Sequence, residues 1–567
     1  MLSRRELLDR TGSLIPALSG FQLIRPKNNR LRYRWVYIAA NLQSQSEVAR
    51  VISILERAAA CGFNGVVLAE WKILVLNTAT PQYVPNLQKV LACAKSLSLS
   101  LIPTVCPMGA SESILQRDPN LAEGVPCRKV KFCVDGHIAT SAGQGQQLLT
   151  NGNLEEASNN KFVGWSYQDA PGQCTFQDGG QLFRGLPSLR VGINSGSPLR
   201  GTNGRLYQKV MVPPYHQFRF TVWIRAAKFK ALSMAGLTVL GDNGEPLAFP
   251  QWQLEPSQDW HRYQITFNSL GSKFITVILG VWGLDRGDIW FNSPKLEEVG
   301  LLNLLRRHGT PLEVTTSSGE ALREGVDYEP VSDPQMGMVP YSGSYDVSHQ
   351  PPSIILKSNT FTGKSLFVSY WHAVPIYWGE VPACLNNAEV FAIMHQQVKD
   401  VVAHIHPDAI FLSHDEIRVA NWCNDCLALH GTPGALLAHN VNKCQALVRS
   451  IAPQAIQCIW SDMFDPYHNA RAHYFLVNGT LAGSWNGLCK DTVIVNWNYD
   501  HRHKSMPWFS AKGFRQVLAG YYDGAADSIA GWLNDAANVD GIEGVMYTTW
   551  QNQYNDLEAF AHYAWKQ

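Results

Sequence analysis

Strand and helix alternate at both ends of this chain, and the alternation fails in the middle. Trp35-Val36-Tyr37-Ile38-Ala39 reads as a buried strand. From Ser46 to Cys61, Val48, Val51, Ile52, Leu55, Ala58 and Ala59 recur at helical spacing and the run stops at Gly62. Gly65 to Glu70 reads as a second strand, Pro85 to Leu97 as a helix with proline at its start, and Leu99 to Val105 as a third strand. The pattern resumes with a helix over Ala388 to His404 and a strand from Ala409 ending in charge at Glu416. A helix over Thr432 to Ile451 follows, then strands over Ala455 to Trp460, Thr492 to Trp497, Gln516 to Asp523 and Gly544 to Trp550. Such alternation predicts a parallel sheet. Three strands before the break and five after it predict an α/β fold, a (β/α)8 TIM-like barrel interrupted after its third strand.

The interruption has a different character. Residues 148–300 show no helical period, only short alternating runs separated by Gly, Asn and Pro. Phe218 to Arg225 and Trp260 to Phe267 alternate cleanly, which predicts an all-β sandwich. Residues 301–372 read as a linking β-region, with a turn near Gly325 and a strand over Gly363 to Tyr370. The expected division is an export signal or tail over 1–30, barrel over 31–147, sandwich over 148–300, link over 301–372 and barrel again over 373–567.

Composition narrows the function. The 567 residues are 46% hydrophobic and 16% charged, with a net charge of +1. No basic face is implied, so nucleic acid is not expected as a partner. No apolar run is long enough for an integral membrane segment. Ser3-Arg4-Arg5-Glu6 ahead of a modest apolar stretch resembles a twin-arginine export signal, with an amphipathic helix as the alternative. The expected location is therefore periplasmic or extracellular. Cys423-x-x-Cys426 has no second CxxC and no His pair at ligand spacing, so it reads as a disulfide or two buried thiols. No redox, nucleotide or pyridoxal motif implies an organic cofactor for catalysis. The 18 Trp fit either cores or sugar-stacking surfaces.

The strand ends carry the chemistry. They read Glu70-Trp71, His414-Asp415-Glu416, Trp460 with Asp462, Trp497, Tyr521-Tyr522-Asp523 and Trp550. In a barrel these ends converge on one face. Carboxylates ringed by aromatic rings suit glycoside hydrolysis, which needs an acid at the leaving oxygen and a second group to stabilise positive charge at the sugar. The alternative is that each carboxylate caps a following helix. Two adjacent carboxylates repel, which favours one protonated acid, but neighbours on a strand point to opposite sides. Asp415 and Glu416 can share a site only if the chain twists there.

Pro407-Asp408, Asp415-Glu416, Trp422, Trp460, Tyr522-Asp523 and Trp550, with Ile102-Pro103 and Pro107 upstream, resemble glycoside hydrolase family 20, the β-N-acetylhexosaminidases and their relatives. The resemblance implies a retaining, substrate-assisted, exo-acting enzyme on a glycan partner. Glu416 would be general acid then base, Asp415 would orient the acetamido group, and Tyr522 would bond its carbonyl oxygen. Asp523 would hold a sugar hydroxyl, and Trp460, Trp497 and Trp550 would wall the ring. Arg34 matches the family's first-strand arginine loosely. Glu70, His414 and Asp462 are further substrate-binding candidates, and Asp462 or Asp523 could pair with Glu416 in an ordinary two-carboxylate mechanism. A non-catalytic glycan-binding protein is the third reading. Ser413-His414 stand where the family has two glycines.

In the insert, Asn151-Gly152-Asn153-Leu154-Glu155, Gly164-Trp165, Ser188-Leu189-Arg190-Val191, Asp259-Trp260 and Ile289-Trp290-Phe291-Asn292 resemble jelly-roll carbohydrate-binding modules of families 4, 9 and 16. That resemblance implies a structural calcium (Ca2+) at Glu155 and Asn292.

Overall fold

The structure, a computed structural model, describes residues 31–565 except Ser195, Trp378 and His430. The export-signal expectation falls on residues 1–30, outside the described residues. Two compact units divide the described residues: one holds 31–117, 382–421 and 426–565, the other 118–381 and 422–425.

The first unit is a closed barrel of eight parallel strands. In order they are Tyr33–Ala39, Gly65–Ala69, Ser100–Val105, Ala409–Leu412, Ile456–Trp460, Val493–Asn496, Arg515–Tyr521 and Ile542–Thr548. Strands three and four are neighbours, with Phe411 opposite Thr104 and Leu412 opposite Val105. Alternate residues fill the interior: Trp35 and Tyr37, Ala409 and Phe411, Cys458 and Trp460, Val493, Val495 and Trp497, Val517 and Ala519. The helices form for local reasons. Gln45–Cys61 ends where Gly62 takes a left-handed φ of 88° that closes the last turn. Pro433–Ile451 starts with proline in its first turn, and the Thr432 hydroxyl accepts the Ala435 N–H. No helix among the described residues is long and apolar enough to cross a membrane.

The second unit is all-β and takes in more chain than the pattern implied. The barrel's first part ends near residue 117, not 147. Gly124–Asp135 and Ile138–Ser141 form an antiparallel hairpin in a six-stranded sheet with Ser365–Ala373, Glu313–Thr316, Ala321–Leu322 and Ile354–Ile355. The cause is visible in Val130, Phe132 and Val134, which alternate with exposed neighbours up to the turn at Gly136 (φ 57°).

The larger sheet orders its strands Gln258–Asn268, Gln217–Leu240, Phe274–Val299, Leu186–Ile193 and Thr175–Phe183, with Gly204–Met211 also on Phe274–Val299. The two long strands pair antiparallel, with register shifts around Ala227 to Met234. Bulges there bend the strands, and both halves bury side chains in one core. Phe218, Phe220, Val222 and Ile224 share that core with Leu237, Val239, Ile275 and Val277.

Candidate active site

At the end of strand four the alternation first holds and then breaks. Ala409 and Phe411 point inward, which sets Asp415 on the inward register and His414 on the outward one. His414 is buried with its Nε2 3.0 Å from Asn440 Oδ1 on the helix Pro433–Ile451. Burial pushes it down to about 4, so it is neutral. His414 is thus a packing residue against that helix, not the substrate contact the sequence suggested. At Glu416 the backbone turns left-handed, with φ 49°, which supplies the expected twist. Gly109 backs this turn: a Cβ there would stand 1.9 Å from the Asp415 carbonyl oxygen. The loop after strand three is pinned to the same stretch, since Met108 N–H donates to Ser413 O at 3.0 Å.

Glu416 is clamped at both ends. Its N–H donates to Asp462 Oδ2 at 2.9 Å, and its carboxylate meets Arg418 at 2.7 Å. Arg418 is buried, its guanidinium 5.4 Å from the Phe475 ring. Asp462 is fully buried and also accepts from Asn469 Nδ2 at 3.0 Å and from the Trp497 indole N–H at 3.2 Å. Asp462 is therefore the anchor of the Glu416 turn rather than a sugar ligand.

Strand seven breaks its alternation more severely. Ala519 points inward, and a Cβ on Gly520 would stand 2.9 Å from Ile529 on an outer helix. Tyr521, Tyr522 and Asp523 then all take left-handed φ values of 69°, 55° and 58°. Each such non-glycine residue costs about 1–2 kcal/mol, so the surroundings must hold it there. The turn keeps Tyr521 outward, stacked on Tyr547 at 4.4 Å with its O–H donating to Asp556 at 3.0 Å. Tyr522 packs instead against the barrel core and stacks on Trp497, centroids 5.4 Å apart and planes 5° apart. Asp523 accepts the Thr549 hydroxyl and the N–H groups of Trp550 at 2.7 Å and Gln551 at 3.2 Å. It fixes the chain leaving strand eight with the oxygens the resemblance would give to a sugar hydroxyl.

These contacts join into one array. Glu416 leads through Asp462 to Trp497, Trp497 to Tyr522, and Tyr522 to Trp550 at 5.8 Å. Trp550 meets Tyr37 at 5.0 Å and Trp460 at 5.9 Å. Trp460 and Trp497 are buried, and the half-buried rings are Tyr522 and Trp550. Tyr37, Arg418 and Gly109 were not picked out from the sequence. The inward register of the first strand marks Tyr37, whereas nothing in the pattern marks Arg418.

Other expected residues lie elsewhere. Arg34 sits at the N-terminal end of the first strand, the end away from the array, and donates to the carbonyls of Gly62 and Leu31. Glu70 is fully buried, accepts the Tyr83 hydroxyl and the Ile73 N–H, and caps the turn Trp71–Thr78. Burial pushes it up to about 7. For Glu70 the helix-capping alternative holds. In the sandwich, Asn292 is buried and donates to Leu186 O, Pro187 O and Ser188 Oγ, while Glu155 is exposed and bonded to Asn153. These two side chains have separate hydrogen-bond partners. Cys423 and Cys426 are buried and are not joined to each other by a disulfide. Cys426 Sγ is 3.5 Å from Cys384 Sγ in the first unit, and Cys423 donates to Glu123 in the second.

No protein-family profile matches the chain, and neither does any curated protein. Among solved structures, the Flavobacterium johnsoniae chitobiase aligns with 95% of this chain and 48% of its own, at 9% identity and a TM-score of 0.39. A glycoside hydrolase family 20 β-N-acetylglucosaminidase aligns with 95% of this chain and 71% of its own, at 9% identity and a TM-score of 0.37. The TmCBM61 module, solved with β-1,4-galactotriose, aligns with 27% of this chain and 98% of its own, at 15% identity and a TM-score of 0.21. The chain spans about half the length of that chitobiase, and these scores assign it to no family.

Proposed function

We propose that this protein is a glycoside hydrolase whose site is the Asp415–Glu416 turn at the C-terminal end of the barrel. The observation that carries the reading is the continuous array from Glu416 through Asp462, Trp497 and Tyr522 to Trp550. It ties the backbone of the Glu416 turn to half-buried aromatic rings, which suit the apolar C–H face of a sugar ring. The finer reading is a retaining, substrate-assisted enzyme on a terminal β-linked N-acetylhexosamine. Glu416 protonates the leaving oxygen and then activates water. Asp415 orients the acetamido group, and the Tyr522 hydroxyl bonds its carbonyl oxygen. Asp462 and Asp523 hold backbone instead, which counts against pairing either with Glu416 in a two-carboxylate mechanism.

The Arg418 ion pair stabilises Glu416 as a carboxylate, so acid catalysis requires a substrate that displaces Arg418. Removing Arg418 should accordingly move the alkaline limb of the activity profile to higher pH. The deciding experiment is hydrolysis of aryl β-glycosides with and without the 2-acetamido group, by wild type and Glu416→Gln. Turnover of the N-acetyl sugars alone, lowered about 10³-fold by the substitution, supports the substrate-assisted reading. Turnover only of sugars lacking that group removes the role given to Asp415. Binding without turnover in wild type would make the barrel a glycan-binding domain.

A further inference from the structure

The sandwich sheet carries a cleft of about 480 Å³ on the face away from its core. It is built by alternation along the strand Gln217–Leu240, whose pairing with Phe274–Val299 shifts register between Thr221 and Trp223. Phe218, Phe220, Val222 and Ile224 point into the core, so Arg219, Thr221 and Trp223 face outward. Cross-strand neighbours complete two rows: Arg262 beside Trp223, and Gln264 beside Thr221 with Lys295 on its other flank. Gln264 Nε2 donates to the Thr221 hydroxyl at 3.0 Å.

The two ends of the cleft differ in charge. At one end Glu297 is neutralised twice, by Arg219 at 2.9 Å and Lys295 at 2.8 Å, and the three form a closed network. At the other end Trp223 is half-buried, with the Arg184 guanidinium 5.2 Å from its ring and Arg262 on the adjacent strand. Phe183 packs against Trp223 at 4.6 Å and holds that ring in place. Among the described residues, neither Arg184 nor Arg262 has a carboxylate partner. Like charges gathered on one surface repel, and a bound anion relieves that repulsion. A surface kept only for solubility would intersperse both signs.

We propose that this cleft binds an anionic oligosaccharide, with a sugar ring on Trp223 and a carboxylate or sulfate between Arg184 and Arg262. The ring supplies an apolar platform, and the two guanidinium groups supply planar forks that match an oxyanion. The proposal is independent of what the barrel does. Calorimetry on the full chain in a Glu416→Gln background excludes turnover from the measurement. The probes are an oligogalacturonate, its neutral methyl ester, a sulfated oligosaccharide, and inorganic polyphosphate. The acidic or the sulfated sugar should bind at least about tenfold more tightly than the ester. Binding should weaken with added salt and fall by a similar factor in Arg184→Gln/Arg262→Gln, whose targets are exposed and leave the fold intact. Trp223→Ala should weaken the ester as well. Equal binding of acid and ester, indifference to the double substitution, or no binding overturns the proposal. Polyphosphate binding as tightly as the sugars and unaffected by Trp223→Ala also overturns it, because the cleft would then be an unspecific anion patch.

Discussion

The barrel end and the sandwich face are both made of strands, yet they present their side chains in opposite ways. On the sandwich, Arg219, Thr221 and Trp223 face out because their own strand keeps its two-residue period, while the adjacent strand absorbs the register shift between Thr221 and Trp223. At the barrel end, side chains reach the array where the period breaks, at Glu416 and at Tyr521 to Asp523. A regular strand offers a broad surface that tolerates change. An irregular strand end offers one geometry, held by buried partners such as Asp462 and Asp523. Substitutions of comparable size should therefore register very differently in the two places.

The largest effect is expected at Arg418. Arg418→Met removes the guanidinium that meets the Glu416 carboxylate at 2.7 Å in a largely buried setting, at a cost of about 3 kcal/mol in denaturant titration of the barrel. A loss below about 0.5 kcal/mol would mean the clamp is ornamental and the contrast overdrawn. Glu70 comes next and acts through pH. Its folded value of about 7 lies above the unfolded one, so the native state holds the extra proton between about pH 4.5 and 7. Stability then falls as pH rises through that window and levels off above it, a drop of about 3 kcal/mol that Glu70→Gln should lack. An unchanged pH slope in the variant would locate the titration in another group.

Gly109→Ala follows. The added methyl meets the Asp415 carbonyl, which should cost about 1–3 kcal/mol and, by displacing the turn, about 100-fold in turnover of whichever glycoside proves to be the substrate. Normal turnover in this variant would show that the turn relaxes freely. Last, Arg262→Gln on the sandwich face should change the melting midpoint by no more than about 0.5 kcal/mol allows. A larger loss would place Arg262 in the folding of the sheet and blur the comparison from the other side.

Periodicity decided what could be read in advance. All eight barrel strands and the break after the third follow from runs such as Val66-Val67-Leu68 and Ile410-Phe411-Leu412, in which buried apolar residues leave no other reading. The hairpin over Gly124–Asp135 and Ile138–Ser141 is invisible to helix spacing, because its signal is the two-residue alternation of Val130, Phe132 and Val134. At the site, the Asp415-Glu416 pair and the aromatic strand ends were legible as composition at fixed positions. Their partners were not, because Arg418 and Gly109 act through contacts that no period encodes. His414 illustrates the gap: its identity suggested chemistry, while its register, one step off Asp415, sends it toward Asn440.

The pairing of strands three and four has a bearing on how the chain assembles. Val105 and Leu412 sit side by side in the barrel wall, yet the whole insert lies between them in sequence. Bringing such distant segments together carries a loop-closure penalty that grows with the length of flexible chain between them, and a segment that has already condensed counts for less of that length. The wall would thus close last at this seam, after the β unit has ordered. In pulse-labelled hydrogen exchange, the amides of Ala409 to Leu412 should gain protection later than those along the first two strands.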